Sequence, residues 1–408
     1  MHQTCIIIGA SHAAAQLAPS LRQEGWQGHI LVIGDEPYIP YQRPPLSKTY
    51  LLGEKSVDDI LVRHADVYSK HDIEFKLGTR VEAVDRTHKT VTLQNGETLN
   101  YDKLALCVGT RVRTVSLPGS ELEGVHYLRN IEDADRIKQN VAKNKHAVIV
   151  GGGYIGLETA AVLRKLGMQV TVLEMAPRVL ARVTAPEVSA FYQRVHTEEG
   201  VTIRTEIAVS GFEGDVRVSG VLCADGSRFP ADMVVIGVGV IPNVELAVEA
   251  GLAVDNGILV DQFARTADPD IVAVGDCTMH PSALYGYVRL ESVPNAMEQA
   301  KSAAASLCGK EKAYTSLPWF WSDQYDLKLQ IAGLNQGYDQ VVIRGDRAGT
   351  RSFAAFYLKG GRLIAADCVN RPQEFMISKR LIADQIKVDA VRLADESVPF
   401  KTLLTEAV

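Results

Sequence analysis

The segment HAVIVGGGYIGLETAAVLRKLGMQVTVLEMAPRVL, His146 to Leu180, admits few folds. A β-branched run, Ala147 to Val150, leads into G-x-G-x-x-G at Gly151, Gly153 and Gly156. A helix-like run follows with apolar Leu157, Ala160, Ala161 and Leu163, and then a second strand, QVTVLE, ending in Glu174, 23 residues past Gly151. Each glycine has a separate job: the first makes the tight turn, the second lets a pyrophosphate approach the backbone, and the third lets helix and strand pack closely. The helix start offers unpaired N–H groups and a positive dipole end to phosphates. Glu174 is placed to accept hydrogen bonds from ribose hydroxyls.

The chain opens on the same grammar. In TCIIIGASHAAAQL a strand runs into Gly9, but Ser11 and Ala14 occupy the other two glycine positions. A small-residue helix and the strand HILVIG follow, and then Asp35 and Glu36, 26 and 27 residues past Gly9. Ala14 is an acceptable small residue for packing. Ser11 puts a Cβ where the pyrophosphate passes, while its hydroxyl can donate to a phosphate oxygen. Two such βαβ units in one chain imply two dinucleotides.

At 408 residues the chain exceeds one hydrophobic core. A net charge of −6 gives no basic field for nucleic acid. Its most apolar long stretch contains Glu158 and four glycines, which argues against a membrane span. The six cysteines, Cys5, Cys107, Cys223, Cys277, Cys308 and Cys368, show no C-x-x-C spacing. Neither a zinc site nor a redox dithiol is expected from them, and with no charged, apolar leader at the start the expected compartment is the cytoplasm.

With PPLSK, GGGYIGLE, VGDCT, ESVPNAMEQA and PWFWSDQY, the chain resembles the two-dinucleotide-binding flavoprotein reductases of glutathione reductase type. Within them it is most similar to the NADH-dependent ferredoxin reductases of bacterial oxygenase systems. The resemblance implies an α/β fold: two Rossmann-like dinucleotide-binding domains, for FAD and NAD, plus a small α+β C-terminal domain with an antiparallel sheet. The expected boundaries are 1–111 with 245–317 for FAD, 112–244 for NADH and 318–408 for the last domain. On the FAD side it implies Gly9, Ser11, Ala14, Asp35, Glu36, Arg43, Pro44, Lys48, Gly109, Thr110, Asp276, Val293 and Trp321. On the NADH side it implies Gly151, Gly153, Tyr154, Ile155, Gly156, Glu174, Arg182, Gly237, Val238, Gly239 and Glu291. Gly275–Asp276 ends the strand of TADPDIVAVGD, and the usual A-T-G of the crossing segment LALCVGTRVR is C-V-G here.

Hydride transfer from NADH to a flavin needs no protein acid or base. It needs the rings stacked, water excluded and the reduced flavin's charge stabilised. The loop YIPYQRPPLSK, with Pro37 before it, places four prolines ahead of Lys48 and is stiff enough to be a platform beside a flat ring. By the resemblance, Lys48 lies near flavin N5 and Glu158 pairs with it, and these two are the expected catalytic residues. The disulfide-using cousins carry C-x-x-x-x-C-x-x-K here, and alignment on Lys48 puts Pro40 and Pro45 at the cysteine positions. Electrons therefore leave directly from the flavin.

The helix opening near Pro294 is expected to aim its N-terminus at the flavin pyrimidine. From about Leu317 the pattern changes to short alternating strands, with a hairpin turn at Gly360–Gly361. Adjacent Trp319, Phe320 and Trp321 cannot share one face of a strand, so a tryptophan is available for the flavin or for docking. Arg43, Arg289, Lys301, Lys379 and Arg380 are candidates for a basic rim.

The expected function is NADH:ferredoxin oxidoreductase. FAD takes a hydride from NADH and single electrons pass to a [2Fe-2S] ferredoxin that feeds a cytochrome P450 or ring-hydroxylating oxygenase, in a monomer or weak homodimer with no metal, nucleic acid or membrane partner. The alternatives are rubredoxin, quinone or oxygen as acceptor, or an NADH-responsive interaction protein of the apoptosis-inducing-factor type.

Overall fold

The structure, a computed structural model, describes residues 3–404 and divides into two compact units. The first comprises residues 3–42, 56–111 and 240–318, and the second 43–55, 112–239 and 319–404. The proline-rich turn before Lys48 thus belongs to the second unit.

In the first unit, β1 (Thr4–Ile8) leads through α1 (His12–Glu24) to β2 (His29–Ile33). Five parallel strands run in the order Ile271–Ala273, Lys103–Leu106, β1, β2, Ile73–Lys76. The three central strands are buried on both faces, as a parallel sheet covered on two sides requires. One face packs on α1 and the Val293–Leu307 helix through Ala14, Leu17, Ala18 and Leu21 against Ala296, Ala300 and Ala304. The small residues let the two helices lie close.

In the second unit, β3 (His146–Val150), α2 (Tyr154–Lys165) and β4 (Gln169–Leu173) repeat the arrangement. The five parallel strands run Thr202–Arg204, β4, β3, Met233–Ile236, Val125–Tyr127. The same unit carries the C-terminal antiparallel sheet, in the order Trp319–Gln324, Leu327–Gly333, Arg362–Val369, Phe353–Lys359, Gln340–Arg344. Its hairpin turns at Gly360 and Gly361, φ 55° and 75°, in the left-handed region that glycine enters without penalty. The Pro372–Ala383 helix packs on this sheet. Among the described residues no helix is long and apolar enough to cross a membrane, and no His/Cys/Asp/Glu cluster could hold a metal ion.

Candidate functional site: two nucleotide cradles and a buried lysine–glutamate pair

The second-unit cradle follows from its glycines. Gly151 has φ 109°, and a Cβ there would collide with the Gly237 carbonyl oxygen. A Cβ on Gly156 would run into the Gly151 carbonyl, so only glycine lets α2 start this close to its strand. Around Gly153 the space is open, with nothing within 4 Å of where a Cβ would lie. Gly153 is the N-cap of α2, whose first turn holds no acidic residue, so its N–H groups and dipole face that space unopposed. The residues fit a dinucleotide.

Glu174 closes the cradle. One carboxylate oxygen accepts from Gly152 N–H at 2.6 Å and the other from Ala176 N–H at 2.7 Å. Each oxygen keeps lone pairs for a ribose. Ile155 and Met175 remain 48% and 75% exposed at the rim, apolar surface that a bound base would cover. Arg182 is exposed and reaches Gly239, with Nη2 3.8 Å from the place of a Cβ on that residue. Val238 is half-buried between Gly237 and Gly239. Tyr154 points elsewhere: its ring lies 5.1 Å from that of Phe320, and its hydroxyl is buried without a hydrogen-bond partner among the described residues. Burial pushes the phenol pKa well up.

The first-unit cradle is built alike, with one displaced part. Gly9 has φ 103°, and a Cβ there would strike the Cys107 carbonyl. Ser11 is the N-cap of α1 and does not use its side chain to cap the helix, while Ala14 is buried at the packing position. Gly9 N–H donates to Ile33 O and Gly151 N–H to Leu173 O, both at 2.8 Å, so Gly34 is the counterpart of Glu174. A side chain at Gly34 would collide with the Ala10 Cβ, whereas Ala10's own counterpart is Gly152. The alanine in the turn thus displaces the acid along the chain. Asp35 is exposed, and Glu36 is half-buried and accepts from the Tyr41 hydroxyl at 2.5 Å.

Elsewhere in this unit Thr110 is buried and its hydroxyl has no hydrogen-bond partner among the described residues, an orphan that suits a polar ligand. Asn243 N–H donates to Gly109 O at 3.0 Å and fixes the bend where LALCVGT ends. Gly275 N–H donates to Gln299 Oε1 at 2.7 Å, tying the turn before Asp276 to the Val293–Leu307 helix. Gln299 was missed by sequence reasoning, since a glutamine within a helix announces no such bond. Ser292 caps that helix by accepting from Asn295 N–H at 3.3 Å, leaving Val293 at its first position. Glu291 is engaged by Arg289 at 2.7 Å.

The buried pair lies wholly in the second unit. Pro44–Ser47 forms a 3-10 turn, stiffened by two prolines, that delivers Lys48. Lys48 Nζ lies 2.5 Å from Glu158 Oε2 and 3.3 Å from Pro44 O, and Ser47 Oγ donates to the same carboxylate oxygen at 2.6 Å. Ser322 Oγ donates to Glu158 Oε1 at 2.6 Å. Glu158 is 3% exposed, so an ion this deep needs its cation and its hydrogen bonds. Ser47 and Ser322 also escaped the sequence reading, because a serine carries no signal of its partner. Arg43, just before the turn, donates from Nη1 to Arg129 O at 2.8 Å.

Trp319 and Trp321 share one face of their strand, rings 5.6 Å apart, while Phe320 turns to Tyr154. Lys379 Nζ stands 5.2 Å from the centre of the Trp319 ring. Lys301 is paired with Glu298 at 2.6 Å, and Arg380 is exposed. All six cysteines are free thiols, and none lies between Cys5 and Cys107, so the proline turn has no dithiol.

A family model described as pyridine nucleotide-disulphide oxidoreductase matches residues 3–300, and one described as reductase C-terminal matches residues 319–404. The chain is 46% identical over 409 residues to putidaredoxin reductase of Pseudomonas putida, covering 98% of this chain and 97% of that protein. It is 43% identical over 406 residues to the 5,5'-dehydrodivanillate O-demethylase ferredoxin reductase subunit of a Sphingobium strain, with 98% of each covered. It superposes on the solved covalent putidaredoxin reductase–putidaredoxin complex with TM-score 0.96, at 46% identity and 99% of both chains. Family membership implies FAD and NAD(H) as the two dinucleotides. The chain belongs to the pyridine nucleotide-disulphide oxidoreductase family, among its putidaredoxin reductase-like ferredoxin reductases.

Proposed function

We propose that this protein is an NADH:ferredoxin oxidoreductase of the cytoplasm that serves an oxygenase through a [2Fe-2S] ferredoxin. The observation that carries the reading is half-buried Lys48, paired with buried Glu158, on a proline turn that has no dithiol. With no thiols to relay a pair of electrons, electrons leave directly from the flavin, and this reading takes a one-electron carrier as their acceptor. The balance is NADH plus two oxidised ferredoxins giving NAD⁺, two reduced ferredoxins and one proton.

FAD, when bound, supplies hydride uptake and one-electron release. The chain's own residues bind and orient. Residues 1–111 with 245–317 hold FAD, with Gly9, Ser11, Asp35, Glu36 and the Thr110 hydroxyl at its polar parts. Residues 112–244 hold NADH, with phosphates at the Gly153 N-cap and the ribose on Glu174. Residues 318–408 carry Trp321 toward the acceptor side. Lys48, held by Glu158 and the Pro44 carbonyl, presents a fixed cation to the flavin. Glu174 repels a 2′-phosphate and so favours NADH. Six unpaired thiols, five of them buried, suit a reducing compartment.

Steady-state turnover of the FAD-loaded protein with NADH and a panel of acceptors tests this. Fastest turnover is expected with a [2Fe-2S] ferredoxin. Faster turnover with rubredoxin, a quinone or oxygen overturns it.

A further inference from the structure

Glu158 is one end of a hydrogen-bond chain that runs through the second unit to a half-buried tyrosine. Ser322 Oγ lies 2.6 Å from Glu158 Oε1, and Gln324 Nε2 lies 3.2 Å from Ser322 Oγ. Gln324 Oε1 is 2.8 Å from His196 Nε2, and His196 Nδ1 is 3.2 Å from the Tyr325 hydroxyl. Ser322, Gln324 and His196 are at most 2% exposed, so water offers none of them another partner.

The donor inventory allows one arrangement. The Glu158 carboxylate only accepts, so Ser322 gives it the single O–H. Ser322 then accepts, so Gln324 must turn its NH₂ to the serine and its oxygen to the histidine. His196 must therefore donate from Nε2, which in the neutral ring leaves Nδ1 to accept from Tyr325. Read backwards, the tautomer of His196 sets the amide, the amide sets the hydroxyl, and the hydroxyl sets how many bonds Glu158 holds.

We propose that His196 and Gln324 are positioning residues for the Lys48–Glu158 pair, keeping the carboxylate fully bonded on the side away from Lys48 so that the ammonium stands at a fixed point and a fixed donor strength. This rests on the reading that Lys48 faces the flavin. The surroundings keep the imidazole neutral. Burial lowers its pKa to about 4, against opposing influences from the Gln324 bond and from Glu199. Glu199 is itself paired with Arg351 at 2.7 Å, and Arg164 donates to its carbonyl at 2.9 Å.

Two measurements test it on the FAD-loaded full chain. Histidine ¹⁵N NMR is expected to show His196 as the Nε2–H tautomer, without titration between about pH 5 and 8. An Nδ1–H tautomer overturns the chain. His196→Phe frees Gln324 to turn and draw the Ser322 hydroxyl from Glu158. It is expected to shift the flavin absorption and midpoint potential and to lower kcat about tenfold to a hundredfold, the worth of one hydrogen bond to a charged group. KM for NADH stays within about twofold, and His196→Gln, which can still donate, restores both.

Ser322→Ala removes one buried oxygen and reads the same chain should His196→Phe not fold. Unchanged flavin properties in both variants overturn the proposal. Lys48→Met separates the two readings. A flavin shift with Lys48→Met but none with His196→Phe overturns the relay alone, and no shift with either overturns the placement of Lys48 as well.

Discussion

Glu174 has its charge pinned by two backbone N–H groups, so its carboxylate cannot swing aside for a phosphate. Glu174→Arg is expected to lower kcat/KM for NADH at least about tenfold and raise it for NADPH, worth about 1.4 kcal/mol or more of discrimination. The ratio of the two efficiencies measures it. Asp367 differs in kind: 1% exposed, it accepts from Thr184 and Tyr357, both at 2.5 Å, and pairs with no cation among the described residues. Burial pushes its pKa up from 3.8 to about 6. The folded state therefore favours the neutral acid, and the stability this lends is full below pH 3.8 and lost as pH rises through about 6. Asp367→Asn keeps an acceptor and removes the ionisation. Its stability is expected to gain on that of the native protein between about pH 4 and 7, by an amount on the order of 1–3 kcal/mol, followed through Tm as a function of pH. A pH-independent Tm difference would refute this. Ser11 was legible as the one departure from the motif, and the structure places it at the N-cap of α1 with its side chain not committed to the helix.

The first-unit helix α1 contains Pro19, which has no N–H for the Ala15 carbonyl four residues back. Arg63 supplies the missing donor: Nη1 bonds Ala15 O and Nη2 lies 3.0 Å from Gln16 Oε1. An interior proline is thereby tolerated in the helix that opens the cradle. Arg63→Met is expected to cost about 1–3 kcal/mol, the penalty of an orphaned buried carbonyl. In a Pro19→Ala background the helix mends its own ladder and the cost shrinks, so a double-mutant cycle by denaturant unfolding should show coupling. Additive effects would rule out the compensation. At this scale the two βαβ units, the proline turn and the C-terminal hairpins were legible, because glycine and proline positions and side-chain period act locally. The later position of the acids, at Asp35 and Glu36, was legible as well, but its cause was not. It depends on Ala10 lying against Gly34, a contact between two turns separated in the chain.

The molecule as a whole carries two copies of one cradle motif in a family that uses FAD and NAD(H), and a ligand that binds only the folded chain must stabilise it. Removing FAD is expected to lower Tm, and adding FAD at about 100 times its Kd to return about 2.7 kcal/mol. Hydrogen exchange should quicken mostly in α1 and the Val293–Leu307 helix, and less in the C-terminal sheet. Equal quickening throughout would count against a cofactor seated in the first unit. The amino-acid sequence by itself determined the two cradles and the absence of a dithiol, while the pairing of Lys48 with Glu158 came from the family resemblance. Turn glycines, prolines and missing cysteines act through neighbours in the chain. Only the tertiary structure decided how the rest of Glu158 is satisfied: Ser47 comes from 111 residues away and Ser322 from 164. A buried carboxylate demands donors for every lone pair it turns from water, and which side chains answer is settled by packing, where sequence separation carries no information.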